Sequence, residues 1–145
     1  MKRLMYVLFF VLLTSGMAYA QQAKYVFYFI GDGMGVNQVN GTEMYLAEQE
    51  GRIGVKPLLF TSFPVASMAT TFSATNSVTD SSAAGTALAT GVKTYNGAIG
   101  MDDNKSVLQS LAERAKKSGK KVGVTTSVSV DHATPAAFYA HQPDR

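Results

Sequence analysis

Asp80, Ser81 and Ser82 stand directly ahead of a run of small, helix-compatible residues in the stretch VTDSSAAGTALATG, residues 78–91. An acid or a hydroxyl at the start of a helix accepts from backbone N–H groups that have no intrahelical partner, which makes one of these residues a candidate N-cap. The same position supports a second chemistry. A hydroxyl at a helix N-terminus lies in a partial positive field that stabilises an alkoxide and attracts a phosphate dianion. Both readings stand on these residues alone. Ala83, Ala84 and Gly85 would let a substrate or metal come close.

Two further groups belong with this one. Asp32 lies in IGDGMGV, between Gly31 and Gly33. A carboxylate among glycines suits a cation, because backbone without a Cβ approaches a metal closely, although Asp is also an ordinary turn former. The segment differs from a dinucleotide fingerprint, which has a third glycine where this chain has Val36. The other group is Asp131, His132 and Thr134, which follow the run KVGVTTSVSV.

Other nucleophile and phosphate motifs do not fit. GTALATGVKT has five residues between Gly85 and Gly91 where a phosphate loop has four, and Lys93 does not follow the second glycine directly. No G-x-S-x-G elbow is present, and His132 and His141 are the only histidines, which disfavours a Ser-His-Asp hydrolase.

The elements that would carry these residues can be read from periodicity. Residues 24–30, KYVFYFI, form an apolar and aromatic run bounded by glycine, as expected for a strand buried on both faces of a parallel sheet. Residues 37–50 read as moderately helical, and the Thr-rich residues 67–73 as extended. A helix is predicted over 106–118, with Val107, Leu108, Leu111, Ala112 and Ala115 on one face, Ser106 and Gln109 as a capping box, and Lys116 and Lys117 before Gly119. Val122, Val124, Val128 and Val130 then alternate with Gly, Thr and Ser, as in a strand. The order strand, helix, helix, strand predicts an α/β fold with a largely parallel central sheet flanked by helices on both faces. Asp32 and the group 131–134 would then lie at carboxyl ends of strands, where open α/β sheets bind ligands.

Composition sets the outer limits. The chain has 145 residues, 46% of them hydrophobic and 16% charged, which is ordinary for a globular domain with a core. Residues 1–20 stand apart: Lys2 and Arg3, an apolar run, then Ala18-Tyr19-Ala20 make a cleaved export signal, so the mature chain is expected to start at Gln21, in the periplasm or outside the cell. The apolar run is shorter than a membrane span requires, and no span is expected once the signal is removed. Removal of Lys2 and Arg3 lowers the basic count from 13 to 11 against 10 acidic residues, leaving +1, which gives no reason to expect nucleic-acid binding. With no cysteine, the exported domain uses no disulfide, so packing, metals or a longer chain must hold it together.

Three segments in order, YVFYFIGDGMG, VTDSSAAGTALATGVKTYNGAIG and VDHATPAAFYAHQPDR, resemble the alkaline phosphatase family. The resemblance covers nearly all of residues 21–145 and corresponds to the N-terminal part of the family's longer domain. It implies a metal-dependent phosphomonoester hydrolase with two zinc ions and one magnesium ion, working through a phosphoserine intermediate, and commonly a homodimer. By the same resemblance Ser81 is the nucleophile, with Ser82 at the small residue beside it. Asp80 orients the phosphate-binding arginine, and Arg145 is that arginine. Asp32 is shared between a zinc and the magnesium, Thr134 is a magnesium ligand, and His132 takes the neighbouring second-shell position, where the family carries Asp or His.

A serine hydroxyl is a weak nucleophile at neutral pH, so coordination to a metal would account for a site without a histidine base. The resemblance also implies that the remaining Asp, Glu and His ligands lie beyond residue 145, so that the isolated chain is an inactive fragment. Two rivals share parts of this pattern: a related metal-dependent hydrolase of phosphodiesters or sulfate esters, and a truncated, non-catalytic binding module. The serine nucleophile and the ATGVKTYNGAIG continuation argue against the first.

Overall fold

The computed structural model describes residues 23–145, and the expected export signal lies outside them. The chain divides into two units, Met1–Gly31 and Asp32–Arg145. In the first, the described residues are irregular and join no ladder, and Tyr25, Val26, Phe27 and Phe29 are exposed. The strand expected over 24–30 is therefore not formed. An apolar run of this kind becomes a strand only by joining a ladder, and it joins none among the described residues.

The second unit is built on four helices: α1 (Val36–Gln49), α2 (Ser81–Thr90), α3 (Leu111–Lys117) and α4 (Ala133–Ala136), with a 3-10 turn at Phe60–Ser62. Residues 121–130, expected as a strand, are irregular, and Val122, Val124, Val128 and Val130 are exposed. The residues expected to be extended over 67–73 also join no ladder. Sheet pairing among the described residues amounts to two isolated antiparallel bridges, Ile99 with Gln142 and Met101 with Val107. The expected parallel sheet is thus absent from them. The helices are present.

Helix α1 starts where the Gln38 side-chain oxygen accepts the Gly35 N–H at 3.1 Å, and it runs within a residue of the expected span. Its Glu43 carboxylate accepts the Leu58 N–H at 2.9 Å and the Thr61 hydroxyl, which ties the following loop back onto the helix. These two bonds hold the Glu43 carboxyl below the ordinary range, the Thr61 bond foremost.

Helix α3 corrects the expectation for 106–118. Its capping box is Ser110 with Glu113: Ser110 Oγ accepts the Glu113 N–H at 3.1 Å, and Glu113 Oε2 accepts the Ser110 N–H at 2.8 Å. Residues 106–109 stay outside the helix, because the Leu108 N–H is taken by the Gly100 carbonyl at 2.9 Å and Val107 bridges to Met101. A tertiary partner for the backbone therefore displaced the local cap four residues onward.

The core is made of small side chains. Ala89 of α2, Ile99, and Ala133, Ala136 and Ala137 around α4 form one buried cluster, with Phe138 and Ala140 packed against it. Close approach of the two helices depends on Gly85: a Cβ there would lie 3.2 Å from Ala137 Cβ and 3.5 Å from Thr134 Cα. Gly91 ends α2 in the left-handed region, at φ 81°, as C-terminal glycines do. The contact of α2 with α4 positions the site.

Candidate active site

Asp32, Ser81 and Thr134 come from three distant parts of the sequence and meet in the second unit. Ser81 Oγ donates to Asp32 Oδ1 at 3.3 Å, and Thr134 Oγ1 donates to Asp32 Oδ2 at 2.9 Å. Asp32 is exposed, while Ser81 and Thr134 are half-buried. One carboxylate thus gathers two hydroxyls, one from the first turn of α2 and one from α4.

Asp80 is the N-cap of α2. Its Oδ1 accepts the Ala83 N–H at 2.9 Å, and its Oδ2 accepts the Gly97 N–H at 2.9 Å. The Asp80 carbonyl accepts the Ala84 N–H at 3.0 Å. Among the described residues, the N–H groups of Ser81 and Ser82 then have no acceptor. Two open donors at the positive end of a ten-residue helix, beside a serine hydroxyl, form a ready site for an anion.

The loop 95–100 fixes this helix end from outside. Thr86 Oγ1, fully buried in α2, donates to the Ala98 carbonyl at 3.2 Å and accepts the Gly100 N–H at 2.9 Å. Asn96 Oδ1 accepts the Asp80 N–H at 3.3 Å, and Asn96 Nδ2 donates to the Val78 carbonyl at 3.0 Å. Both the cap and the interior of α2 are thereby held to one loop.

The remaining expected residues are placed as follows. Ser82 is fully buried, and its Oγ has no partner among the described residues; the Thr94 hydroxyl is in the same condition. His132 is the N-cap of α4, exposed, with no capping bond from its side chain. The Asp131 carboxyl is held low by the Ser129 hydroxyl, then by its own backbone N–H and the nearby His132. Arg145 is exposed and forms no ion pair with a described residue, so the structure does not bring its guanidinium onto Asp80.

The donor set can be tested against the expected metals. A carboxylate with two hydroxyls is a set of hard oxygens, which suits magnesium. It falls short for zinc, which takes about three or four protein ligands. No group of three His, Cys, Asp or Glu side chains placed to hold a metal occurs among the described residues. The chain's own residues therefore fit part of one oxygen site and not two complete zinc sites.

Sequence reasoning did not single out Thr86, Tyr95, Gly97, Glu113 or His141. Of these only Glu113 had a local signal, since Ser110 and Glu113 have the S-x-x-E spacing of a capping box. The others act through tertiary contacts that no spacing reveals.

The chain is similar to known proteins. The family model for alkaline phosphatase matches residues 23–145. The chain is 39% identical over 137 residues to alkaline phosphatase 4 of Drosophila melanogaster, covering 88% of this chain and 23% of that protein. Its fold is similar to the crystal structure of a cold-active alkaline phosphatase from a psychrophilic Shewanella, with TM-score 0.72 and 39% identity over 79% of this chain and 29% of that one. It is also similar to a histidine-to-aspartate mutant of the TAB5 alkaline phosphatase that has Mg bound in its M3 site, with TM-score 0.51, 43% identity, and coverage of 52% and 22%. The chain spans about a quarter of the length of such relatives.

Proposed function

The chain belongs to the alkaline phosphatase family, and on that premise we propose that it carries the nucleophile end of a phosphomonoester hydrolase. The observation that supports this most is the meeting of Ser81, at the open end of α2, with Asp32 and Thr134. Ser81 Oγ attacks phosphorus as the ester oxygen leaves, and water later hydrolyses the phosphoserine. The Ser81 and Ser82 N–H groups point their positive ends toward the incoming phosphoryl oxygens, and Arg145 supplies a planar fork for two more. Asp80 holds the helix end rigid, and in the complete site it also orients Arg145.

Asp32, Ser81 and Thr134 would hold parts of a cluster of two zincs and one magnesium, with His132 beside the magnesium. Bound divalent cations lower the pKa of the serine hydroxyl and neutralise charge on the attacking and leaving oxygens. Because the described residues supply too few donors for two zincs, the chain taken alone is expected to turn over no substrate. The reading extends to the whole protein. It is exported to the periplasm or medium behind a cleaved leader, forms a homodimer, and has a largely parallel central sheet in its complete fold. No helix among the described residues is long and apolar enough to cross a membrane.

The test uses the complete, metal-loaded protein that contains this chain. Brief exposure to a phosphomonoester carrying labelled phosphate, followed by acid quench, is expected to leave one label on Ser81, and Ser81→Ala is expected to remove it. Label retained by that variant overturns the assignment.

A further inference from the structure

Residues 141–144 run alongside the same loop that fixes the nucleophile helix, and every one of their anchors is on it or on α3. Gln142 exchanges both backbone bonds with Ile99, at 2.8 and 2.9 Å. The Tyr95 hydroxyl donates to the Pro143 carbonyl at 2.6 Å. His141 Nδ1 lies 2.9 Å from the Gly100 carbonyl, and His141 Nε2 lies 3.1 Å from Glu113 Oε1. Both ring nitrogens face acceptors, so the ring spans loop and helix when both carry a proton. Gly100 has no room for a side chain here: a Cβ would lie 2.3 Å from the Ala140 carbonyl oxygen and 2.7 Å from His141 Nδ1.

The other side of this loop holds the nucleophile. Gly97 N–H donates to Asp80, and Ala98 and Gly100 bond to Thr86 inside α2. One loop, residues 95–100, therefore holds the Ser81 end of α2 on one side and the four residues leading to Arg145 on the other. We infer that Tyr95 and His141 are positioning residues, which set the reach of Arg145 relative to Ser81 by fixing residues 141–144 on the loop that caps α2. The inference rests on the proposed function, in which Arg145 binds the phosphoryl group. Neither Tyr95 nor His141 touches the reacting atoms. Their effect passes through Arg145 alone.

The chemistry of each anchor sets what its loss does. Tyr95→Phe removes one hydroxyl and no ring, so the Pro143 carbonyl is released while packing is kept. His141→Asn keeps a donor for Gly100 and loses the reach to Glu113. Either change lets the segment before Arg145 shift, and a misplacement of about 1 Å at a phosphate-binding group is worth up to roughly a hundredfold in binding of the reacting state.

The experiment uses the complete, metal-loaded protein, with inorganic phosphate as the probe. Y95F and H141N are expected to raise the inhibition constant of phosphate and the KM for a phosphomonoester by between about threefold and thirtyfold, with labelling of Ser81 retained. In an R145A background the same substitutions are expected to change neither constant, because the group they position is gone. An unchanged phosphate constant in Y95F and H141N overturns the inference, and so does an equal loss with and without Arg145, which marks general damage to the fold. Absence of phosphomonoesterase activity in the unsubstituted protein would instead sink the functional reading itself.

Discussion

Asp32 and Thr134 stand 102 positions apart in the chain and meet at 2.9 Å, with Thr134 Oγ1 donating to Asp32 Oδ2. Ser81 donates to the other oxygen of the same carboxylate, so Asp32 measures the separation of α2 from α4 at their site ends. The arrangement makes one carboxylate answerable to both helices.

Replacement of Thr134 by valine separates structure from chemistry at this point. Water reaches the exposed Asp32 oxygen in place of the lost hydroxyl, so the expected cost in unfolding free energy is about 1 kcal/mol or less. The affinity of the complete protein for magnesium is expected to fall by at least about tenfold, since Thr134 is the proposed magnesium ligand and also bonds the ligand Asp32. Titration of activity against magnesium reads the second effect and urea unfolding the first. A large stability loss with unchanged magnesium dependence would assign Thr134 to packing.

Asp80 makes two bonds with its two oxygens, to Ala83 N–H and Gly97 N–H. Asp80→Ala loses the cap and leaves the Gly97 N–H without its acceptor, for an expected cost of about 2 kcal/mol. Asp80→Asn keeps a single acceptor and turns an amide N–H₂ toward the other donor, so about half that cost is expected. Urea unfolding of both variants decides the split. Equal costs would mean that the bond to Gly97 carries most of the effect.

How far the sequence revealed this site follows from the range of each interaction. A cap among Asp80, Ser81 and Ser82 and the start of α2 were legible, because capping is decided within four residues, and the structure gives the cap to Asp80. Asp32 and Thr134 were identified as members of one site, but their bond was not, since nothing local encodes a contact across 102 positions. The helix at Ser110 was misplaced toward Ser106 because both serines offer a capping pattern, and Leu108 is drawn away by Gly100 through a tertiary bond. The strand patterns at 24–30 and 121–130 describe surfaces fit for a sheet. Without a ladder to join among the described residues, pattern alone forms no strand.

Gly85 offers a test in which two known effects oppose each other. Alanine in a helix interior is worth about 1 kcal/mol over glycine. Here its methyl would lie 3.2 Å from Ala137 Cβ, a group fixed to backbone and unable to swing aside. Overpacking of this kind costs about 1–3 kcal/mol, so Gly85→Ala is expected to destabilise by about 1 kcal/mol net. Because Thr134 Cα lies 3.5 Å from the same point, the strain also falls on the bond from Thr134 to Asp32. Thermal unfolding gives the net sign, and a stabilised variant would show that α4 yields freely.

Glu113 gives the α3 end of the assembly a definite response to acid. The Ser110 N–H, foremost, and then His141 hold its carboxyl below the ordinary 4.5, against the opposing effect of burial. A folded-state value below the unfolded one means that the unfolded chain binds the proton more readily. The associated stability is therefore complete above about pH 5 and is lost as the pH falls through 4.5 toward the lowered value. Glu113→Gln keeps an oxygen for the Ser110 N–H and cannot titrate, so its unfolding free energy should fall less steeply than that of the unsubstituted chain between about pH 5 and pH 3. Unfolding curves across that range measure the difference in slope, and parallel slopes would place the acid sensitivity elsewhere, at Glu43, Glu50 or Asp131, whose carboxyls are also held low. Since His141 shares Glu113 with Ser110, the same acid window is where the anchor of residues 141–144 on α3 begins to release.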